Sequence, residues 1–186
     1  MLLAGLLLGP SLCAACGPEV HPATTQAIIE VESAGNPLAI HDNVTNRAYS
    51  PRTRDEAVAT ARNLLAQEHS IDMGLMQINS QHLRKKRIDY ERLFDPCFNI
   101  KTGTGILASF YRLHRRNSPS DPQDLVLLKS LSSYNTGTPY GGSYYVGRIL
   151  KRAGVRAASL LFAPREASPP GHGTRAMAFF RKEATR

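Results

Sequence analysis

Two glutamates near the start of the chain carry the first chemistry that residue type and spacing predict. Glu30 and Glu32 fall in a helical pattern of apolar residues that Gly35 ends. Helical side chains two positions apart point ~200° apart, because each residue turns the helix by ~100°. Glu32 therefore falls near Ile28 and Ile29, on the side that must be buried, whereas Glu30 faces solvent.

A carboxyl group on a buried helix face is costly unless it has a purpose. Desolvation raises the pKa of such a group and keeps it protonated near neutral pH, as a general acid must be. The same residues also fit a partly exposed glutamate at the fraying end of a helix. The surroundings of Glu32 in the sequence leave both interpretations open.

Three further segments place amide or phenol groups beside small residues. They are residues 74–79 (GLMQIN), 133–137 (SYNTG) and 144–146 (YYV). Such groups hydrogen-bond the hydroxyl and acetamido groups of sugars, and the faces of Tyr and Met pack against sugar rings. Taken singly, each segment is explained slightly better by helix capping and core packing.

Several other patterns carry no chemistry. Residues 103–108 (GTGILA) match a dinucleotide-binding fingerprint, but no strand precedes them, and their glycines are better explained by close helix packing. The six histidines lack paired ligand spacing, so we expect no metal site and no cofactor. Ser143 lacks the glycines of a nucleophile elbow. The basic charge comes with no nucleic-acid-binding motif.

Helical periodicity dominates the elements that must position these residues, and strand alternation is scarce. The sequence predicts an all-α globule over residues 22–154, with a polar loop or small hairpin at 38–54 and no internal repeat. Residues 155–186 hold six basic residues against two acidic ones, which predicts a basic, unstructured tail. Predicted helices cover residues 22–34, 55–68, 75–84, 99–116, 122–134 and 144–153.

The composition is that of one globular domain with tails. A chain of 186 residues with 42% hydrophobic and 20% charged residues excludes wholesale disorder, collagen and coiled coil. The net charge of +8 implies an acidic partner, which is a nucleic acid, an anionic membrane or an acidic polymer. Composition does not choose among the three.

Residues 1–15 have the pattern of a signal peptide. Leu2 to Leu8 form an apolar run too short to span a bilayer, and a small-residue cleavage zone follows near Ala15. No basic residue precedes the run, so the basic region of a leader is absent or the true start lies upstream. A buried N-terminal helix is the alternative. We expect export, with no transmembrane span in the mature chain.

Export decides how the three cysteines are interpreted. Cys13 and Cys16 have the CxxC spacing of a redox or zinc site, but no second pair exists and Cys13 lies in the predicted leader. Removal of the leader leaves Cys16 and Cys97, which in an oxidising compartment predicts one disulfide bond. A lipid-modified Cys16 is the alternative, and Cys13 three residues before it makes this less favourable.

The order of the motifs adds a family resemblance. Glu32-Ser33, GLMQIN, the YN-x-G stretch 134–137 and Tyr145 resemble the lytic transglycosylases of the lysozyme-like superfamily, in the group with the soluble-lytic-transglycosylase domain. Residues 20–43 and 93–103 look most like the peptidoglycan-cleaving component of type IV secretion and conjugation machines. The resemblance implies a periplasmic enzyme with a lysozyme-like helical catalytic domain over residues 16–154.

The resemblance also implies a mechanism with a single glutamate. Glu32 would protonate the glycosidic oxygen between N-acetylmuramic acid and N-acetylglucosamine and then act as a base. The 6-hydroxyl group of the muramic acid would close a 1,6-anhydro ring with help from the 2-acetamido group, so no water attacks.

The substrate-binding residues that the resemblance implies surround this glutamate. Gln77 and Asn79 are expected near acetamido and hydroxyl groups, and Met76 against a sugar ring. The others close the subsite, orient Glu32 or contact the glycan backbone, and they are Ser33, Tyr134, Asn135 and Tyr145.

Two other functions stay open. Ordinary glycosidases need two carboxyl groups that face the bond, and Asp42 or Asp72 could serve a hydrolytic muramidase. A catalytically inert domain could instead hold peptidoglycan or a secretion-channel subunit. Peptidoglycan strands are the expected partner because their stem peptides carry carboxylates that suit the basic charge. Channel subunits are expected as further partners, and nucleic acid is not.

Overall fold

Helices dominate the part of the chain that the computed structural model describes, residues 9–82 and 88–154, which confirms the mainly α prediction. A 3₁₀ helix at Tyr90–Phe94 precedes the longest helix. The helix Pro22–Ser33 begins at a proline, as predicted, because the missing N–H group of a proline costs nothing in the first turn. The α-helices whose two ends lie within the described residues are α1 (Pro10–Cys16), α2 (Pro22–Ser33), α3 (Arg54–Ala66), α4 (Pro96–Asn117), α5 (Gln123–Thr136) and α6 (Ser143–Arg152), and residues 80–82 are also helical.

A small antiparallel sheet stands between α2 and α4 in the chain. Its strands are β1 (Ile40–Asp42), β2 (Arg47–Tyr49), β3 (Ile71–Met73) and β4 (Ile78–Asn79), in the order β2-β1-β3-β4. Strands β1 and β2 are the small hairpin that the sequence allowed within residues 38–54.

The helix predicted over residues 75–84 is wrong at its start. Met73 pairs with Ile78 and Asp72 pairs with Asn79, so a tight turn connects β3 to β4. Gly74 (φ +77°) and Gln77 (φ 46°) adopt left-handed backbone conformations that no helix contains. The spacing of the apolar residues in this turn imitates a helical period. Residues 83–87, near the end of that prediction, lie outside the described residues.

Helix α4 contacts α1, α5 and the strand β4. Its buried face includes Ile100 and Leu107, and Gly103 lies between them. A Cβ atom on Gly103 would stand 2.5 Å from the sulfur of Met76, so this glycine allows α4 to pack directly against the β3–β4 turn. Gly105 has nothing within 4 Å of its Cβ position. Close packing therefore explains the first glycine of the fingerprint-like segment but not the second.

Residues 10–15, assigned above to the end of a leader, form helix α1 together with Cys16 and pack into the domain. Cys13 is fully buried in the core, and α1 contacts both α2 and α4. Cleavage near Ala15 would remove this buried side chain from the core. Residues 1–8 lie outside the described residues, and the leader over residues 1–15 stays a prediction.

The disulfide bond between Cys16 and Cys97 is present, as predicted. It joins the last residue of α1 to the first turn of α4 across a separation of 81 residues. Asp95 caps that turn by accepting a hydrogen bond from the Phe98 N–H group at 2.7 Å. Cys13 is a free, buried cysteine.

Helix α6 ends at Arg152, close to the predicted domain end at residue 154. The predicted tail, residues 155–186, lies outside the described residues. Among the helices of the described ranges, none has both the length and the hydropathy that crossing a membrane requires.

We predict opposite effects of alanine at the two glycines of α4. Gly103→Ala overpacks the contact with Met76 and should lower the free energy of unfolding by about 1–3 kcal/mol. Gly105→Ala meets open space and should raise it by about 0.5–1 kcal/mol, because alanine loses less backbone entropy. Urea denaturation of both variants checks this, and equal effects at the two positions would contradict the packing.

We predict that the disulfide stabilises the fold by about 4 kcal/mol, because it closes a long loop in the unfolded chain. Reduction should lower the urea midpoint of the wild type and leave that of a Cys16→Ser, Cys97→Ser variant unchanged. Thiol titration of the unfolded, unreduced wild type should find one free thiol, that of Cys13. Three free thiols would contradict the pairing.

Candidate active site

The turn between β3 and β4, residues 74–77, is held by one buried amide. The Asn99 side chain accepts a hydrogen bond from the Met76 N–H group at 2.8 Å. Its NH₂ group donates to the carbonyl oxygens of Met73 at 2.9 Å and Leu93 at 2.8 Å. Asn99 is fully buried, so these bonds satisfy an amide that is costly to bury alone.

The glycine that starts this turn is required by two constraints. Gly74 has φ +77°, which L side chains rarely adopt. A Cβ atom there would also collide with the Asn99 amide and come within 2.5 Å of the Leu93 carbonyl oxygen. The first residue of the GLMQIN motif is therefore fixed by backbone geometry.

Helices α2 and α5 reach the same turn through side-chain hydroxyl groups. Ser33 donates to the Leu75 carbonyl oxygen at 2.9 Å, and Tyr134 donates to the Met76 carbonyl oxygen at 2.8 Å. The amide of Gln77 donates to the Gly74 carbonyl oxygen at 2.8 Å. The first three predicted motifs thus meet through hydrogen bonds at this turn.

Glu32 lies in the last turn of α2, beside Ser33. Its side chain keeps part of its surface in solvent but is closely surrounded by protein. This burial raises the pKa of Glu32 to about 7, while the hydroxyl group of Tyr145 opposes the rise. The charge of Asp72 raises this pKa further and the charge of Arg148 lowers it. A carboxyl group with this pKa is protonated in about half of the molecules at neutral pH.

Two phenols stand close to Glu32, that of the buried Tyr145 and that of the half-buried Tyr134. Burial, followed by the negative charge of Glu32, raises the pKa of both Tyr134 and Tyr145 well above the usual range, so both stay neutral. The Tyr145 oxygen is buried and makes no hydrogen bond of good geometry, although it interacts with Glu32.

Asp72 lies in β3 between the buried residues Ile71 and Met73. Its carboxylate accepts hydrogen bonds from the side-chain amides of Asn79 at 2.7 Å and Asn43 at 2.9 Å. Burial raises the pKa of Asp72, and these two bonds oppose the rise. The charge of Asp72 in turn adds to the raised pKa of Glu32.

Asp42 has a different role. Burial opposes its ionisation, but hydrogen bonds from Thr45, the Val44 N–H group and His69 outweigh it and lower the pKa of Asp42 to about 2. Its Oδ2 atom is 2.5 Å from the Thr45 hydroxyl oxygen and 2.9 Å from His69 Nδ1. Asp42 is fully buried and closes the β1–β2 hairpin, so its oxygens are not offered to a substrate.

The remaining predicted residues differ in their exposure to solvent. The Met76 side chain is fully buried against Gly103, so in this structure it supports the turn and offers no surface to a sugar ring. Asn79 is half-buried and committed to Asp72 and Ser70. Asn135 is exposed at the end of α5.

Sequence reasoning missed three residues of this site. Asn99 stands one helical turn before Gly103 on the apolar face of α4, and a polar residue there was an available signal. Arg148 follows Tyr145 by three residues, which is the spacing of one helix face. Asn43 adjoins Asp42. No local sequence pattern predicts its hydrogen bond to Asp72, because the pairing of strands brings Asn43 and Asp72 together.

The sequence of the chain is similar to that of a known protein family. Residues 10–143 match the sequence profile described as the transglycosylase SLT domain. The chain is 34% identical over 122 residues to protein virB1 of Agrobacterium fabrum, covering 66% of this chain and 49% of that protein. It is 33% identical over 156 residues to type IV secretion system protein virB1 of Brucella abortus, covering 80% and 65%.

A third relative, protein virB1 of Rhizobium radiobacter, is 31% identical over 153 residues, covering 81% of this chain and 63% of that protein. The chain therefore spans between about half and two thirds of the length of these relatives. No solved structure matches the chain significantly.

We predict that Tyr145→Phe raises the pKa of Glu32 above its value of about 7, because the variant removes the hydroxyl group that opposes the rise. Titration of glutamate carboxyl carbons by ¹³C NMR measures this, and Glu32→Gln identifies the resonance. A pKa that stays the same or falls would contradict the contact.

The raised pKa of Glu32 also predicts the sign of a pH effect on stability. The folded state holds this proton more tightly than the unfolded chain, so folding is favoured while Glu32 is protonated. The stability of the wild type relative to Glu32→Gln should fall as pH rises from about 4.5 to about 7. Denaturation of both proteins across this range is the measurement.

Proposed function

The chain belongs to the transglycosylase SLT domain family, and from this membership we propose that it is a peptidoglycan lytic transglycosylase. It cleaves the β-1,4 bond between N-acetylmuramic acid and N-acetylglucosamine and leaves 1,6-anhydromuramic ends. The observation that carries the proposal is Glu32, a partly exposed carboxyl group whose pKa is raised to about 7 beside the phenols of Tyr134 and Tyr145.

The reaction needs one group that first gives a proton and then accepts one. Protonated Glu32 donates its proton to the glycosidic oxygen as the bond from the muramic C1 atom to that oxygen breaks. The 6-hydroxyl oxygen of the same muramic acid forms the new bond to C1, and its proton returns to Glu32. No water is consumed, so the products together have the mass of the substrate.

The residues around Glu32 would assist this reaction by holding the groups that react and by forming the walls of the site. Tyr145, whose hydroxyl group lacks a full partner, holds the carboxyl group or a sugar hydroxyl. Tyr134 and Ser33 fix the β3–β4 turn that forms one wall of the site. Gln77, Asn79 and Asn135 remain the proposed contacts to acetamido and hydroxyl groups, whereas Met76 supports them from the core.

A hydrolytic muramidase is the second candidate, because Asp72 lies near enough to Glu32 to raise its pKa. In that mechanism a second carboxylate activates water or attacks the sugar. The buried hydrogen bonds that occupy Asp42 argue against it as this second group. The two candidates differ in their products, since hydrolysis adds one water.

The setting proposed for the enzyme follows from its charge and its relatives. The net charge of +8 suits the carboxylates of peptidoglycan stem peptides. Relatives named as type IV secretion proteins support a periplasmic role in opening the cell wall for a secretion or conjugation apparatus, whose channel subunits would be further partners. A catalytically inert peptidoglycan-binding factor is the non-enzymatic alternative.

We predict that the full 186-residue chain releases muropeptides with anhydromuramic ends and that Glu32→Gln lowers this release by at least about a hundredfold. Mass spectrometry of the released fragments is the measurement. Glu30→Gln is the matched control, because Glu30 lies two residues earlier and pairs with Arg152 at the surface.

Each other outcome selects another function. Reducing ends that disappear in Asp72→Asn would make the protein a muramidase. Binding of peptidoglycan without release, by wild type and Glu32→Gln alike, would make it an inert binding factor.

A further inference from the structure

Helix α6 brings a charged side chain to Glu32 that the proposed reaction has not yet used. The Arg148 Nη2 atom donates a hydrogen bond to the Val31 carbonyl oxygen at 3.2 Å. Val31 directly precedes Glu32 in the last turn of α2. Tyr145 stands one turn earlier in α6 and interacts with the same carboxyl group. One face of α6 therefore supplies both a hydroxyl group and a cation at Glu32.

The charged and titratable groups around Glu32 come from three neighbouring elements. Helix α6 contributes Tyr145 and Arg148, α5 contributes Tyr134, and β3 contributes Asp72. Both tyrosines stay neutral, so the fixed charges that act on Glu32 are those of Asp72 and Arg148. They act in opposite directions.

We propose that Arg148 is a positioning residue that ties the last turn of α2 to α6 and places a positive charge beside Glu32, where it stabilises the carboxylate formed during proton transfer. The proposal rests on the proposed function, in which Glu32 gives up its proton and takes it back. The guanidinium group stays charged through the whole cycle, because arginine does not deprotonate in proteins.

The physical reason lies in the burial of Glu32. A carboxylate that forms in a poorly solvated site lacks the water that would stabilise it, and a nearby cation replaces part of that stabilisation. The hydrogen bond to Val31 limits the positions that the long arginine side chain can take. The cation is thus held near the end of α2 before the proton moves.

Arg152 provides a matched control on the same helix. It follows Arg148 by four residues and pairs with Glu30 at 3.6 Å, with both side chains substantially exposed. Its removal also deletes a positive charge and an α2–α6 contact, but at Glu30 rather than at Glu32.

The test compares Arg148→Gln, Arg148→Met, Arg148→Lys and Arg152→Gln in the full chain. The pKa of Glu32 is measured by ¹³C NMR without glycan, and the pH profile of kcat/KM is measured with peptidoglycan. We expect both neutral variants at position 148 to raise the pKa of Glu32. They should also shift the basic limb of the profile upward, since that limb reports loss of the protonated acid.

The same neutral variants should lower the maximal rate roughly three- to tenfold, because the departing proton leaves a less stabilised carboxylate. Arg148→Lys should keep most of the wild-type pKa and rate, and Arg152→Gln should match the wild type in both. Asp72→Asn should move the pKa of Glu32 in the opposite direction, which calibrates the size of a charge effect.

Two results would overturn the proposal. One is a pKa of Glu32 and a basic limb that do not move in either neutral variant, even if the rate falls, since that is the behaviour of a purely structural residue. The other is an equal shift in Arg152→Gln. Failure of the proposed function is distinguishable, because it would abolish glycan cleavage in the wild type while the NMR comparison still reports the charge.

Discussion

The rest of the site depends on the hydrogen bonds of one buried side chain, that of Asn99. Its amide uses one acceptor and two donors to hold the β3–β4 turn and the 3₁₀ helix before α4. Loss of a single partner would leave a buried polar group unsatisfied, at a cost of about 1–3 kcal/mol. Because Ser33 and Tyr134 bond to carbonyl oxygens of that turn, Asn99 indirectly fixes the relation of α2 and α5. The turn is the common reference for the three motifs.

Glu32 depends on a balance between burial and charge. Burial alone would keep Glu32 protonated. A protonated carboxyl group suits the first step, in which it acts as an acid, but it cannot then act as a base. The hydroxyl group of Tyr145 and the charge of Arg148 oppose burial, whereas Asp72 adds to it. The resulting pKa of about 7 lets one carboxyl group serve in both directions near neutral pH. These groups come from three different elements, which are the helices α2 and α6 and the strand β3.

The sequence predicts best what is periodic and local. Helices with one apolar face were found within a few residues of their observed ends, and the disulfide followed from cysteine arithmetic. The β3–β4 turn was missed because Leu75, Met76 and Ile78 imitate a helical period, while its true determinants are a left-handed Gly74 and a buried Asn99 far along the chain. Motif order identified the candidate site residues, whose roles stay predictions. The bond of Asn43 to Asp72 arises from strand pairing, which no local pattern records, whereas the spacing of Arg148 from Tyr145 was a local signal that went unused.

The free thiol of Cys13 has a consequence for oxidative folding. Two cysteines on α1, three residues apart, compete for Cys97 while the chain is still open. Burial raises the pKa of Cys13 to about 11, so its reactive thiolate is scarce at neutral pH once the core has closed. A chain that forms the native bond hides its spare thiol from exchange, whereas a wrongly paired chain leaves Cys16 or Cys97 unpaired. Core packing thus favours one of the three disulfide isomers that the three cysteines permit.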